Sequence, residues 1–245
     1  GAAHLERVYV STGPSRPPFS NPSSPMAKRI RYLITWLLGL GACFAGGLPA
    51  EPQGPLRFTV WAFSPPSRAL AVDMGDAGRL PIQFHPTTRS PVYEYAGVAR
   101  LRFLDAGTGE VVAEADIPAE WRRVLLIFAP TQSRDTRLSY QILVVDDSEE
   151  ALPKGSLRVL NRSGWTLRGA VNGQSREFPP GLSPAMPASG AVELQLRAAL
   201  RGRWWTSHTS QFELGAEQRA LLVILPPYYP GSPEVQVRRL VDSVP

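Results

Sequence analysis

The chain has 245 residues, of which 43% are hydrophobic and 19% charged, enough apolar material for one large or two modest cores and too much for a disordered polymer. Three histidines and a single cysteine exclude multi-cysteine zinc sites, Cys₄ clusters and internal disulfides. The formal charge of +5 is concentrated near the amino terminus, where Arg7, Arg16, Lys28, Arg29 and Arg31 face only Glu6; the remainder is close to neutral, without the clustered basic surface that nucleic-acid binding requires.

Residues 1–25 are rich in Ser and Pro and precede a natural start at Met26; they are expected to be a disordered tail or an over-extended start. Residues 26–50 have the three-part layout of a secretory signal. Met26-Ala27-Lys28-Arg29-Ile30-Arg31 supplies the basic segment, an apolar run follows from Tyr32 to Ala45, and Leu48-Pro49-Ala50 ends on a small residue. The run is short for a hydrocarbon core about 30 Å thick, which favours export over a permanent span. Two processing outcomes stand side by side. Cleavage after Ala50 would release a mature chain beginning at Glu51. Leu40-Gly41-Ala42-Cys43 resembles the lipobox of bacterial lipoproteins, in which case Cys43 is lipidated and anchors the protein.

Beyond residue 55 the apolar period is two, the signature of half-buried strands. Leu101 and Phe103 alternate with Arg100 and Arg102, and Asp105-Ala106-Gly107-Thr108-Gly109 turns the chain into Val111, Ala113, Ala115 and Ile117, predicting a hairpin. Val192, Leu194 and Leu196 alternate with Glu193, Gln195 and Arg197. Further strands are predicted at 56–63, 124–128, 138–145, 156–161, 166–171, 204–212, 220–225 and 235–241. No helix longer than about two turns is supported.

The two halves echo one another. Residues 119–130 match 216–227 at six of twelve positions, pairing Arg122 with Arg219; Val145-Asp146 recurs as Val241-Asp242, and Leu56-Arg57-Phe58 is echoed by Leu157-Arg158-Val159. The alternative is chance similarity between apolar strands. Read as a repeat, the pattern predicts an all-β fold of two tandem β-sandwich domains, 55–147 and 155–243, joined by an acidic connection, with the second expected to fold alone.

Residues 157–164 (Leu-Arg-Val-Leu-Asn-Arg-Ser-Gly), continued by Asn172-Gly173 and Pro179-Pro180-Gly181, resemble the small immunoglobulin-like sandwich repeats of exported bacterial proteins. The resemblance covers about 30 residues and rests on turn residues and strand pattern. It implies a sandwich outside the cytoplasm and says nothing of activity.

Candidate chemistry is sparse. There is no Gly-x-Ser-x-Gly elbow, and Gly107-Thr108-Gly109 lacks the Gly-Lys-Ser/Thr of a nucleotide loop. His85 and His208 read as turn or strand histidines. Asp146-Asp147-Ser148-Glu149-Glu150 gathers four carboxylates but lacks the spacing of a calcium loop and is expected to be a solvated connection. No catalytic, cofactor or metal residue is assigned. The residues that stand out are Trp204-Trp205 and Tyr228-Tyr229: alternation sends one member of the Trp pair into the core and the other to the surface, where aromatic planes stack on sugars or partner side chains. The alternative is ordinary core and edge packing. The expected function is an exported cell-envelope protein acting as a non-catalytic binding or structural module for protein partners; a carbohydrate-binding module is the alternative and a minor hydrolase a third. Membrane contact is expected only through the leader or a lipid anchor, and the oligomeric state stays open.

Overall fold

The structure, a computed structural model, describes residues 55–97, 100–131 and 137–243. The leader, including Arg29, Arg31, Cys43 and Ala50, lies outside them. The described residues belong to one compact unit and are almost entirely strand and turn, with a single 3₁₀ turn at Gly75–Ala77.

The first half contributes β1 (Leu56–Ala62), β2 (Leu70–Asp73), β3 (Arg79–Ile82), β4 (Tyr93–Tyr95), β5 (Arg100–Asp105), β6 (Val111–Asp116), β7 (Arg123–Pro130) and β8 (Tyr140–Asp146). The second contributes β9 (Ser156–Asn161), β10 (Leu167–Val171), β11 (Gln174–Phe178), β12 (Gly181–Leu182), β13 (Met186–Pro187), β14 (Gly190–Leu200), β15 (Arg203–Leu214), β16 (Gln218–Leu225) and β17 (Gln236–Ser243). In each half an inner sheet packs on an outer one. The first inner sheet runs β4-β1-β7-β8 and the first outer sheet β3-β2-β5-β6; the second inner sheet runs β12-β9-β16-β17, with β13 also on β9, and the second outer sheet β11-β10-β14-β15. Both inner sheets are mixed, with β1 parallel to β7 and β9 parallel to β16.

The predicted alternation builds the two sandwich interiors. Leu101 and Phe103 of β5 meet Phe58, Val60, Val124, Leu126 and Phe128 in the first; Val192, Leu194 and Leu196 of β14 meet Leu157, Val159, Ala220 and Leu222 in the second. The turns follow local chemistry. Asp105 Oδ1 accepts the Gly107 and Thr108 amides at 2.8 and 3.0 Å, closing the β5–β6 hairpin. Asn172-Gly173 and Arg201-Gly202 have φ of 49°, 77°, 52° and 75°, the two consecutive left-handed residues that a tight I′ hairpin needs.

A third apolar layer lies between the inner sheets: Trp61, Leu125, Ile127 and Val145 pack with Leu160, Leu221, Val223 and Leu240. The central strands β7 and β16 are therefore buried on both faces, which suits their unbroken apolar runs.

Two expectations are corrected here. The match sets Leu125 and Ile127 against Leu222 and Ile224, but the first two face the other half while the last two line the second sandwich interior, so Arg219 shares its face with Arg123 and not with Arg122. A one-residue slip reverses every side chain of a strand, and the matched identities lie one residue out of register with the cores. The acidic connection is also not simply solvated, because Asp147 is 2% exposed. Its amide bonds the Arg123 carbonyl at 2.9 Å, extending the β7–β8 pairing inward, and its carboxylate meets three arginines.

Candidate functional site

Those arginines form the densest charge cluster in the described residues. Arg219 on β16, fully buried, places Nη2 2.9 Å from Asp147 Oδ2 and 2.8 Å from Asp242 Oδ2, while its Nη1 donates to the carbonyls of Asp147, Ser148 and Leu152. Arg89 Nη1 is 2.8 Å from both Asp147 oxygens, and Arg123 Nη2 is 3.0 Å from Asp242. Burial alone would raise the Asp242 carboxyl, but the Arg219 hydrogen bond and the charges of Arg89, Arg219 and Arg123 outweigh it and hold the group below the ordinary carboxylate value. Asp147 is thus taken up by guanidinium groups rather than offered to calcium. The cluster joins the two halves through β16, β17 and the connection between them.

The aromatic candidates lie elsewhere in the second half. Strand β15 is the edge of the outer sheet and carries a β-bulge: Leu196 pairs with His208 but Arg197 with Thr206, leaving Ser207 as the extra residue. Beyond the bulge Trp205 shares a face with Ala198 of the sandwich interior, while Trp204 shares the outer face with Ala199. The expected alternation is present, but Trp205 does not enter the core. It is 47% exposed and Trp204 38%, because the strand has a neighbour on one side only and both residues lie next to its hairpin end. The Arg168 guanidinium sits 4.6 Å above the Trp204 ring.

Tyr228 and Tyr229, 70% and 78% exposed, project from the β16–β17 loop. Ser207 holds that loop to β15, donating to the Pro233 carbonyl at 2.6 Å and accepting the Val235 amide at 3.3 Å. Tyr228 Oη accepts from Arg238 Nη2 at 3.0 Å. Arg238 pairs with Val223, which faces the other half, so Tyr228 is tied to a different arginine and a different sheet from Trp204.

His85 is exposed. The half-buried His208 ring shares a 3.0 Å hydrogen bond with Ser210 Oγ, and burial pushes its pKa down. With no carboxylate bonded to the ring among the described residues, the pair is a dyad without its orienting acid.

Two concavities complete the surface. A cleft of about 750 Å³ opens between the halves, lined by Phe63, Tyr140, Ile142 and Leu225 with Glu114 and Arg162 as its charged members. A depression of about 530 Å³ lies on the second outer sheet, where Arg168, Ala170, Glu177, Gln195 and Arg197 line it from the outward face. Neither was legible in advance, since each draws on residues far apart in sequence. No protein-family model matches the chain, and no curated protein matches it in sequence.

Proposed function

We propose that the chain is an exported cell-envelope protein whose β-rich body is two tandem immunoglobulin-like sandwiches serving as a non-catalytic binding or structural module for protein partners. The leader pattern of residues 26–50 supports export, and the like wiring of the two inner sheets supports the tandem reading. The observation that carries binding is the exposure of four large aromatics, Trp204, Trp205, Tyr228 and Tyr229, in one half of the molecule. Large rings left in water cost hydration free energy unless a partner covers them, and aromatic anchors dominate interface energetics.

Truncating an exposed anchor affects binding, whereas truncating a buried residue affects stability. Trp205→Ala and Tyr229→Ala are therefore expected to leave the melting temperature nearly unchanged. Each should weaken capture of a solubilised envelope fraction on a surface-plasmon-resonance chip by roughly tenfold or more. Protease treatment of the fraction should abolish capture. Variants that lose thermal stability and bind as before would show that the aromatics are packing residues.

The glycan reading is second. It is favoured by Trp204, which stands on a sheet face with Arg168, Gln195, Arg197 and Thr206; loss of capture after periodate oxidation but not after protease would select it. The lipobox carries its own expectation. Cys43→Ser should move the protein from the membrane fraction to the soluble envelope fraction, because removing the acyl chains removes the anchor. Fractionation unchanged by the substitution, with an unmodified Glu51 amino terminus by mass spectrometry, would assign cleavage after Ala50.

A further inference from the structure

We propose that the boundary between the halves is a binding site for a small monovalent anion, a halide such as chloride, held on the buried guanidinium of Arg89. The site is separate from the exposed aromatics and does not depend on what they bind. Among the described residues four buried side-chain atoms have no hydrogen-bond partner within the protein: Thr59 Oγ1, Trp61 Nε1, Arg89 Nε and Arg89 Nη2. Leaving buried polar groups unpaired is costly. Three of the four can only donate, and the Thr59 hydroxyl can donate as well, so the group that satisfies them is an acceptor. A water brings two protons of its own, and this set offers only the Thr59 oxygen to take one. An anion brings none.

The four atoms share one face. Phe58, Val60 and Ala62 line the first sandwich interior while Trp61 faces the other half; Thr59, paired with Leu125 of the same middle layer, faces the other half too. The Arg89 segment is fastened to this strand, since the Ser90 amide donates to the Val60 carbonyl at 3.0 Å and Ser90 Oγ accepts the Val60 amide at 2.8 Å. From there Arg89 reaches Asp147, which lies on the far side of β7 with its amide on the Arg123 carbonyl. Arg123 and Leu125 are paired with Arg57 and Thr59, so the Arg89 side chain crosses β1 where Thr59 stands. Its Nη1 is taken by Asp147. Nε and Nη2 form another edge of the planar fork, the kind of edge that grips an acceptor with two parallel bonds.

The charge count selects an anion. Arg123 and Arg219 each meet both Asp147 and Asp242, a neutral quartet with one arginine and one aspartate from each half. Arg89 is a fifth member without a counterpart. In the second half the same fastening recurs, with the Ser183 amide 2.8 Å from the Val159 carbonyl and Ser183 Oγ accepting the Val159 amide at 2.9 Å, but the residue before it is Leu182. The neighbouring charges are balanced, Arg57 by Glu94 and Arg158 by Asp146. One positive charge is therefore in excess, and a buried charge without a counter-charge is strongly unfavourable. A single excess charge, presented by atoms closed off from solvent, suits a halide and not a phosphate or a larger carboxylate ligand.

The test uses the full chain. With sodium gluconate holding the ionic strength constant, raising chloride from roughly 1 to 100 mM is expected to raise the melting temperature by at least about 3 °C. Crystals grown in bromide should show an anomalous peak on the Nε–Nη2 edge of Arg89. Arg89→Leu, which installs the side chain found at the equivalent place in the second half, should abolish the chloride dependence. Thr59→Val, which leaves every ion pair in place, should weaken the apparent chloride affinity about tenfold. A melting temperature that follows ionic strength alone would overturn the proposal, as would bromide crystals with a water and no anomalous peak on that edge. A chloride dependence that survives Arg89→Leu would place the ion elsewhere and overturn it too. If Arg89→Leu does not fold, the bromide position and Thr59→Val decide by the same criteria.

Discussion

Arg219→Ala is expected to cost about 3–5 kcal/mol of stability, the range for removing one partner of a buried ionic network. Arg219 is fully buried and bonds two carboxylates, Asp147 and Asp242, together with three backbone carbonyls. Its loss strands those acceptors away from water while Arg89 and Arg123 can reach only some of them. For a unit of this size the melting temperature should fall by roughly 6–20 °C, read by circular dichroism. Arg168→Ala, which removes an ion pair whose two side chains are each 59% exposed, should shift stability by less than about 1 kcal/mol. The same network sets an acid limit. The Asp242 carboxyl is held below 3.8 in the folded state, so the unfolded chain takes up its proton first as the pH falls. Its contribution is complete above the unfolded value and is lost as pH drops through the lower folded one. Urea midpoints should therefore fall on acidification below about pH 4, with a smaller fall in Asp242→Asn. A midpoint independent of pH across that window would show that the Asp242 charge contributes no stability.

The long half-buried strands were readable because one face of each meets an interior and the other meets water. On β14 the buried positions Val192, Leu194, Leu196 and Ala198 alternate with exposed or half-buried ones, and that alternation is visible in the letters. The six short strands β2, β3, β4, β11, β12 and β13 escaped notice: each has five residues or fewer, too few to establish a period. The inner strands posed the opposite problem. With Val124 to Phe128 apolar throughout, alternation is absent and any register scores alike, so the letters align Arg122 with Arg219 although Arg123 is the residue on the equivalent face. Continuity itself was the available signal, since a strand with no polar face is buried on both sides and calls for a third layer beyond the two sandwiches. Asp147 was hidden among neighbouring carboxylates, and composition does not reveal which of four acids turns inward. At the site, the alternation of Trp204 and Trp205 was legible. The bulge at Ser207 was not, because it depends on which strand pairs with which.

Separating the halves should expose what the third layer does. A fragment of residues 155–245 keeps its own sandwich interior, so it is expected to fold and to unfold cooperatively. It also uncovers Leu160, Leu221, Val223 and Leu240 on one sheet face, and leaves Arg219 without Asp147. At about 1.5–3 kcal/mol for each large apolar side chain removed from water, those four residues represent roughly 6–12 kcal/mol of burial that the fragment can regain only by self-association. Contiguous apolar faces of this kind drive dimerisation or aggregation. Size-exclusion chromatography with light scattering should therefore find dimers or larger species at micromolar concentration, and Leu221→Ser with Val223→Thr and Leu240→Ser should return a monomer. The matching substitutions in the full chain should lower its melting temperature without unfolding either sandwich, giving two transitions where one is expected of the native protein. A fragment that is monomeric with its apolar face intact would mean that the inner sheets meet with little net free energy, and that the Arg219 network alone keeps the halves together.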